Sequence, residues 1–189
     1  MTTNIFMNRR VRIKIRLSLA LIYLVVPNIV SAEPVLEWAT IEQEAASFLS
    51  RYIQIDTTNP PGNEIKAAEF LKSIFDREGI EAKSIESAPG RANLRAVLRG
   101  DGSRKAIILL NHMDVVPADE KLWKAKPFGG KIKDGVIWGR GALDDKGPGI
   151  MELAAMLTLK RQKIALKSDV IFLGTADEEA GGALGAGTC

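Results

Sequence analysis

A chain of 189 residues, 46% hydrophobic and 26% charged, has the length and composition of one folded domain with its own core and shows no compositional sign of disorder. Its formal charge of +3 is confined to the first segment: Arg9, Arg10, Arg12, Lys14 and Arg16 precede the first acidic residue, Glu33, after which 21 basic residues face 23 acidic ones. Beyond the leader the chain is slightly acidic, which excludes the basic footprint of a nucleic-acid binder, so no nucleic-acid partner is expected.

Residues 1–32 have the form of a secretory signal. A positive stretch is followed by the apolar run Leu17 to Val26, then Pro27 and the small-residue site Val30-Ser31-Ala32. Cleavage after Ala32 is expected, giving an exported, periplasmic or extracellular protein without a stable membrane span. The run is shorter than the roughly 20 residues that cross a bilayer, and an uncleaved leader anchoring the chain is the alternative. Cys189 is the only cysteine, so there is no internal disulfide and no thiolate zinc pattern.

Ile41, Ala45, Phe48, Leu49 and Tyr52 recur at helical spacing and predict an amphipathic helix over Thr40–Ile53. Asp56-Thr57-Thr58-Asn59-Pro60-Pro61-Gly62-Asn63 cannot continue it, and reads as a loop near any site. A second helix is expected from Glu64 to Glu78, stopped by Gly79. Extended runs follow at Ile80–Ile85 and Asn93–Leu98, then a turn at Gly100-Asp101-Gly102 and the fully apolar Ala106–Leu110. An unbroken apolar strand predicts the middle of a sheet covered on both faces. Past Trp123, Pro127 and Phe128 a hairpin is expected, Lys131–Lys133 and Val136–Trp138 about Asp134-Gly135. A helix over Pro148–Gln162 and a buried strand over Ser168–Thr175 complete the pattern. The glycine-rich Gly181 to Cys189 is an odd place for a domain to stop, so residues 33–189 are expected to be the N-terminal part of an incomplete domain.

Helices alternating with apolar strands indicate an α/β fold whose strand ends converge on one rim. Three polar clusters sit at such ends: His112 with Asp114, Asp144 with Asp145, and Glu178 with Glu179. His112 is the only histidine. On a strand it and Asp114 face the same side, where the carboxylate can fix the imidazole tautomer and leave the other nitrogen for a metal. Converging carboxylates repel unless a cation lies among them, and one imidazole with carboxylates suits zinc, with manganese or cobalt as alternatives. The adjacent Glu178 and Glu179 cannot both face one side from a regular strand, so they must lie where strand gives way to loop.

Four segments, Asp56 to Glu64, His112 to Pro117, Trp138 to Gly147 and Ala176 to Glu179, resemble in that order the co-catalytic zinc metallopeptidases that include aminoacylase, carboxypeptidase G, acetylornithine deacetylase and succinyl-diaminopimelate desuccinylase. The resemblance implies a zinc-exopeptidase-like mixed sheet flanked by helices. It implies two zinc ions, His112 as a ligand of one, Asp144 as the bridge between both, and Glu179 as a ligand of the other. Asp114 would steady His112, and Glu178 would be the general base for cleavage of an amide bond in a peptide or N-acyl amino acid.

Family members carry a further carboxylate and a second histidine ligand downstream, with an inserted lid and dimerisation domain; none of these is in the present sequence. Each ion would keep two protein ligands where about three are needed, so this chain by itself is expected to bind zinc weakly and not to turn over, the full-length parent forming a homodimer. A nucleotide-binding module is the rival class, but neither Gly139-Arg140-Gly141 nor the glycines from Gly182 to Gly187 give Gly-x-Gly-x-x-Gly. A relative that keeps the fold and binds peptides without cleaving them is the other reading.

Overall fold

The computed structural model describes residues 36–188, and the expected leader at 1–32 lies outside the described residues. The chain runs α1 (Trp38–Ile53), α2 (Glu64–Arg77), β1 (Glu81–Ala88), β2 (Arg91–Leu98), β3 (Ile107–His112), β4 (Lys131–Lys133), β5 (Val136–Trp138), α3 (Lys146–Arg161) and β6 (Val170–Thr175), with short 3-10 turns at Glu120–Leu122, Glu178–Ala180 and Ala186–Thr188. Among the described residues no helix is long and apolar enough to cross a membrane.

Each helix forms where its apolar spacing requires it. Phe48, Tyr52 and Ile53 of α1, Ala67, Ala68, Leu71, Ile74 and Phe75 of α2, and Ile150, Leu153, Met156 and Leu157 of α3 are buried. The stop after α2 is the expected glycine: Gly79 takes φ 63° and lets its own N–H reach Asp76 O while the N–H of Ile80 reaches Phe75 O. Helix α3 begins two residues before Pro148, so the proline lies in the first turn, where its missing N–H breaks no bond.

The main sheet has the order β1-β2-β6-β3, with β1 antiparallel to β2, β2 antiparallel to β6, and β3 parallel to β6. The three helices share one core with Ala92, Leu94, Ala96, Val170 and Phe172, where the Phe75 and Phe172 rings meet edge to face at 5.2 Å between centroids. The hairpin β4–β5 forms where expected, as a separate two-stranded sheet.

One expectation fails. Strand β3 is at the edge of the sheet, and Ile107, Ile108 and Leu110 are 53%, 59% and 56% exposed. The run is apolar on both faces, but of its residues 107–110 only Leu109 packs against the core. Local composition marks a strand as able to be central without saying what neighbours it.

Register is what places the site. His112 pairs with Thr175 across the parallel β3–β6 ladder, so both strands end at the same level and their following residues emerge side by side. The loop after α1 then joins them. Thr57 and Thr58 lie alongside Val115, with Val115 N donating to Thr57 O, Asn59 N to Val115 O, and Thr57 Oγ1 to Met113 O at 2.7 Å.

Candidate metal centre

The imidazole of His112 stands at the rim with both nitrogens engaged. Nε2 is 3.0 Å from Asp144 Oδ1 and 3.8 Å from Glu178 Oε2. Nδ1 contacts the backbone carbonyl of Asp114 at 3.1 Å, while the Asp114 carboxylate is 3.6 Å away, beyond hydrogen-bond length. Nδ1 therefore faces a peptide oxygen first, with the Asp114 carboxylate beside it on the same side of the ring. The strand ends at His112, and the turn into Met113 and Asp114 brings that carbonyl round to the ring.

Asp114 is fully buried, and its carboxylate has further partners besides the ring. Its two oxygens accept the backbone N–H groups of Glu178, at 3.1 Å, and Glu179, at 3.0 Å, together with Asn59 Nδ2 at 2.8 Å. The carboxylate thus fixes the turn that follows β6. Glu178 and Glu179 lie in the 3-10 turn beyond the strand, as the alternation argument required. Asp177 at φ 69° and Gly181 at φ 105° bracket the turn, a tight reversal that a side chain other than Asp or Asn tolerates poorly.

Asp144 and Asp145 lie in the connection from β5 to α3, just before the helix, and Asp145 is its N-cap residue without a side-chain capping bond. Instead Asp145 Oδ2 accepts the N–H of His112 at 3.2 Å. The peptide bond between Asp144 and Asp145 is cis.

The electrostatics are those of a crowded anionic rim. Burial pulls the His112 pKa down, but its bonding to Asp114 and Asp144 outweighs that and lifts it to about 9. Burial pushes Glu179 up, with the carboxylates of Asp144, Asp114 and Glu178 adding to it against the effect of His112. Asp145 is also raised, first by burial. Burial raises Asp114 too, but the His112 contact, the Asn59 amide and the two backbone donors bring it below the ordinary carboxylate value.

One ligand atom each from His112, Glu178 and Glu179 lies within 4.8 Å of the others, the spacing of a group able to share a cation. Asp144 meets His112 directly but is outside that group. A donor set of one imidazole and carboxylates fits a divalent cation of intermediate hardness.

Several residues that position the centre were not singled out from sequence. Asn59 links the early loop to Asp114, and Arg91 with the fully buried Glu64 holds Asp177. Lys146, also fully buried, donates to the carbonyls of Tyr52 at 3.2 Å and Ile55 at 2.6 Å. Asn59, Glu64 and Lys146 fall within segments that carry the resemblance, and that was the available signal; Arg91 had none.

Compared with known proteins, residues 108–188 match the family described as peptidase family M20/M25/M40. The chain is 33% identical over 144 residues to an N-formyl-4-amino-5-aminomethyl-2-methylpyrimidine deformylase of Halalkalibacterium halodurans, covering 74% of this chain and 34% of that protein. It is 34% identical over 139 residues to a probable succinyl-diaminopimelate desuccinylase of Staphylococcus epidermidis, covering 73% and 33%. A solved M20 family metallo-carboxypeptidase of Sulfolobus solfataricus superposes with a TM-score of 0.62 at 27% identity, covering 74% of this chain and 31% of that one. The chain spans about a third of the length of the relatives it matches.

Proposed function

We propose, from the match of residues 108–188 to peptidase family M20/M25/M40, that the chain forms part of a metal-dependent hydrolase that cleaves an amide bond in a peptide or N-acyl amino acid. The observation that supports this reading best is the meeting of His112, Asp144, Glu178 and Glu179 at one rim, from three separate chain segments. In this proposal His112, Asp144 and Glu179 would hold two divalent ions, zinc first and manganese or cobalt as substitutes, with Asp144 contributing to both.

A divalent cation held there supplies positive charge that polarises a carbonyl oxygen and makes a nearby water more acidic. The remaining work belongs to the chain. Glu178, with its carboxylate exposed and 3.8 Å from His112, takes the proton of the attacking water on a carboxylate oxygen and delivers it to the leaving nitrogen. Asp114 keeps Glu178 and Glu179 aimed at the rim by accepting their backbone N–H groups, and its carbonyl orients the His112 ring.

The proposal extends to organisation. Residues 1–32 act as an export leader, residues 33–189 are the first part of a catalytic domain, and the longer protein is a homodimer. With two protein ligands per ion, the 189-residue chain holds zinc weakly and does not turn over.

Two measurements test this. Zinc calorimetry on the chain is expected to give weak binding, and submicromolar binding of two ions refutes the ligand count. Hydrolysis of dipeptides and N-acyl amino acids is expected only when the chain is extended to the length of its relatives, and is lost on chelation and in Glu178→Gln. An extended protein that binds these compounds without cleaving them overturns the assignment as an enzyme.

A further inference from the structure

We infer that Arg91 is a positioning residue for the Glu178–Glu179 turn, acting through Asp177; the inference builds on the metal-centre reading without depending on any ion being bound. Arg91 enters from β2 and forks onto Glu64 of α2, Nε to Oε2 at 2.5 Å and Nη2 to Oε1 at 2.7 Å, while Nη2 also reaches Asp177 Oδ1 at 3.0 Å. The three side chains are 11%, 0% and 9% exposed.

Asp177 is the residue from which the turn departs. Its carboxylate also accepts Asn59 Nδ2 at 3.2 Å and Leu184 N at 3.2 Å, and its own N–H donates to Glu64 Oε1 at 3.3 Å. Asn59 Nδ2 simultaneously donates to Asp114 Oδ2, the oxygen that accepts the N–H of Glu179. A continuous path therefore runs from Arg91 through Asp177 and Asn59 to Asp114, with the two glutamates held between its ends. Gly62 leaves room for it, since a side chain there would land on the Arg91 guanidinium.

Energetics favour a positioning role over a stabilising one. A buried ion cluster recovers its desolvation cost only with good geometry, and a packed apolar replacement is often as stable. What an apolar replacement cannot do is hold Asp177 in the left-handed region at φ 69° while its carboxylate faces the donors on Asn59 and Leu184.

The test uses the full 189-residue chain and the variants Arg91→Gln, Arg91→Lys and Asp177→Asn, with Arg99→Gln as a control because Arg99 pairs with Glu81 and Asp169 on the exposed surface. Amide exchange resolved by residue is read at Glu178 and Glu179 against Ala96 and Phe172 in the sheet, and cobalt(II) alone is titrated by absorbance. Arg91→Gln and Asp177→Asn are expected to speed exchange at the two glutamates about tenfold relative to the sheet and to weaken cobalt binding by a similar factor. Arg91→Lys, which keeps the charge but loses the fork, should recover part of both effects, and Arg99→Gln should show neither.

Unchanged exchange at Glu178 and Glu179 overturns the inference, as does equal acceleration throughout the sheet. Should Arg91→Gln not fold, Arg91→Lys and Asp177→Asn decide by the same pattern. If the unaltered chain binds no cobalt, the metal-centre reading fails, while the exchange pattern still decides the role of Arg91.

Discussion

Nε2 of His112, at the end of β3, lies 3.0 Å from Oδ1 of Asp144, two residues ahead of α3 and 32 positions along the chain. The nitrogen that a metal would use is the one that meets a carboxylate, so a proton and a cation compete for the same position.

The first prediction concerns pH and stability. His112 has its pKa raised to about 9, so the folded state binds its proton more tightly than the unfolded chain. The resulting stabilisation is complete below the unfolded value of about 6.5 and is lost as pH rises through about 9. In the absence of metal, the unfolding free energies of the chain and of His112→Gln should differ more at pH 6 than at pH 9.5, by on the order of 3 kcal/mol. Urea titrations at the two pH values read this directly, and a pH-independent difference would show that His112 is not held as an imidazolium.

The two adjacent glutamates should separate by function. Glu179→Gln removes a proposed ligand and is expected to weaken cobalt or zinc binding about tenfold or more, whereas Glu178→Gln should leave it within about threefold. In an extended, active protein Glu178→Gln should lower kcat by at least about a hundredfold with KM little changed. Because both side chains fall within the same 4.8 Å group as His112, the opposite ranking would exchange their roles.

Lys146 ties the start of α3 to the end of α1 through the Tyr52 and Ile55 carbonyls, with its ammonium 4.9 Å from the centre of the Tyr52 ring. Burial lowers its pKa to about 7, against a small opposing effect of Asp56. Lys146→Ala strips the buried Tyr52 carbonyl and the partly buried Ile55 carbonyl of their donor and opens a cavity, and is expected to cost about 3 kcal/mol. Thermal or denaturant unfolding measures it, and a loss below about 0.5 kcal/mol would mean that the two carbonyls find other partners.

The exposed side of β3 predicts solution behaviour. An edge strand with Ile107, Ile108 and Leu110 more than half exposed is a template for pairing, so the chain should self-associate with rising concentration. Ile108→Lys should reduce that association, with a stability change within about 0.5 kcal/mol. Sedimentation velocity at several loadings separates the two, and identical association in the variant would place the contact elsewhere.

How far this could be read from sequence depends on the range of each cause. Helical periodicity over residues 40–53 and 64–78, the glycine stop at Gly79 and the hairpin about Asp134-Gly135 are local, and each stands within two residues of its expected position. The three polar clusters were legible because strand ends bring side chains to one rim. Two things were not. The edge position of β3 depends on which strands pair with it, which no residue in Ile107–His112 encodes. The roles of Asp114, Arg91 and Glu64 depend on contacts between residues 27 to 113 positions apart, such as Arg91 with Asp177. The sequence indicated that His112 and Asp114 share a side, but only the turn after β3 decides that a peptide oxygen lies nearer the ring than the carboxylate does.

The most direct test is anomalous diffraction from crystals of the 189-residue chain soaked in millimolar zinc, recorded on both sides of the zinc edge. The account predicts two zinc peaks, one about 2.0–2.2 Å from His112 Nε2 and a carboxylate oxygen of Asp144, the other at the same range from carboxylate oxygens of Asp144 and Glu179, with the direct contact between His112 and Asp144 replaced. A map with no anomalous peak among these groups, or with zinc held only by other residues, would contradict it.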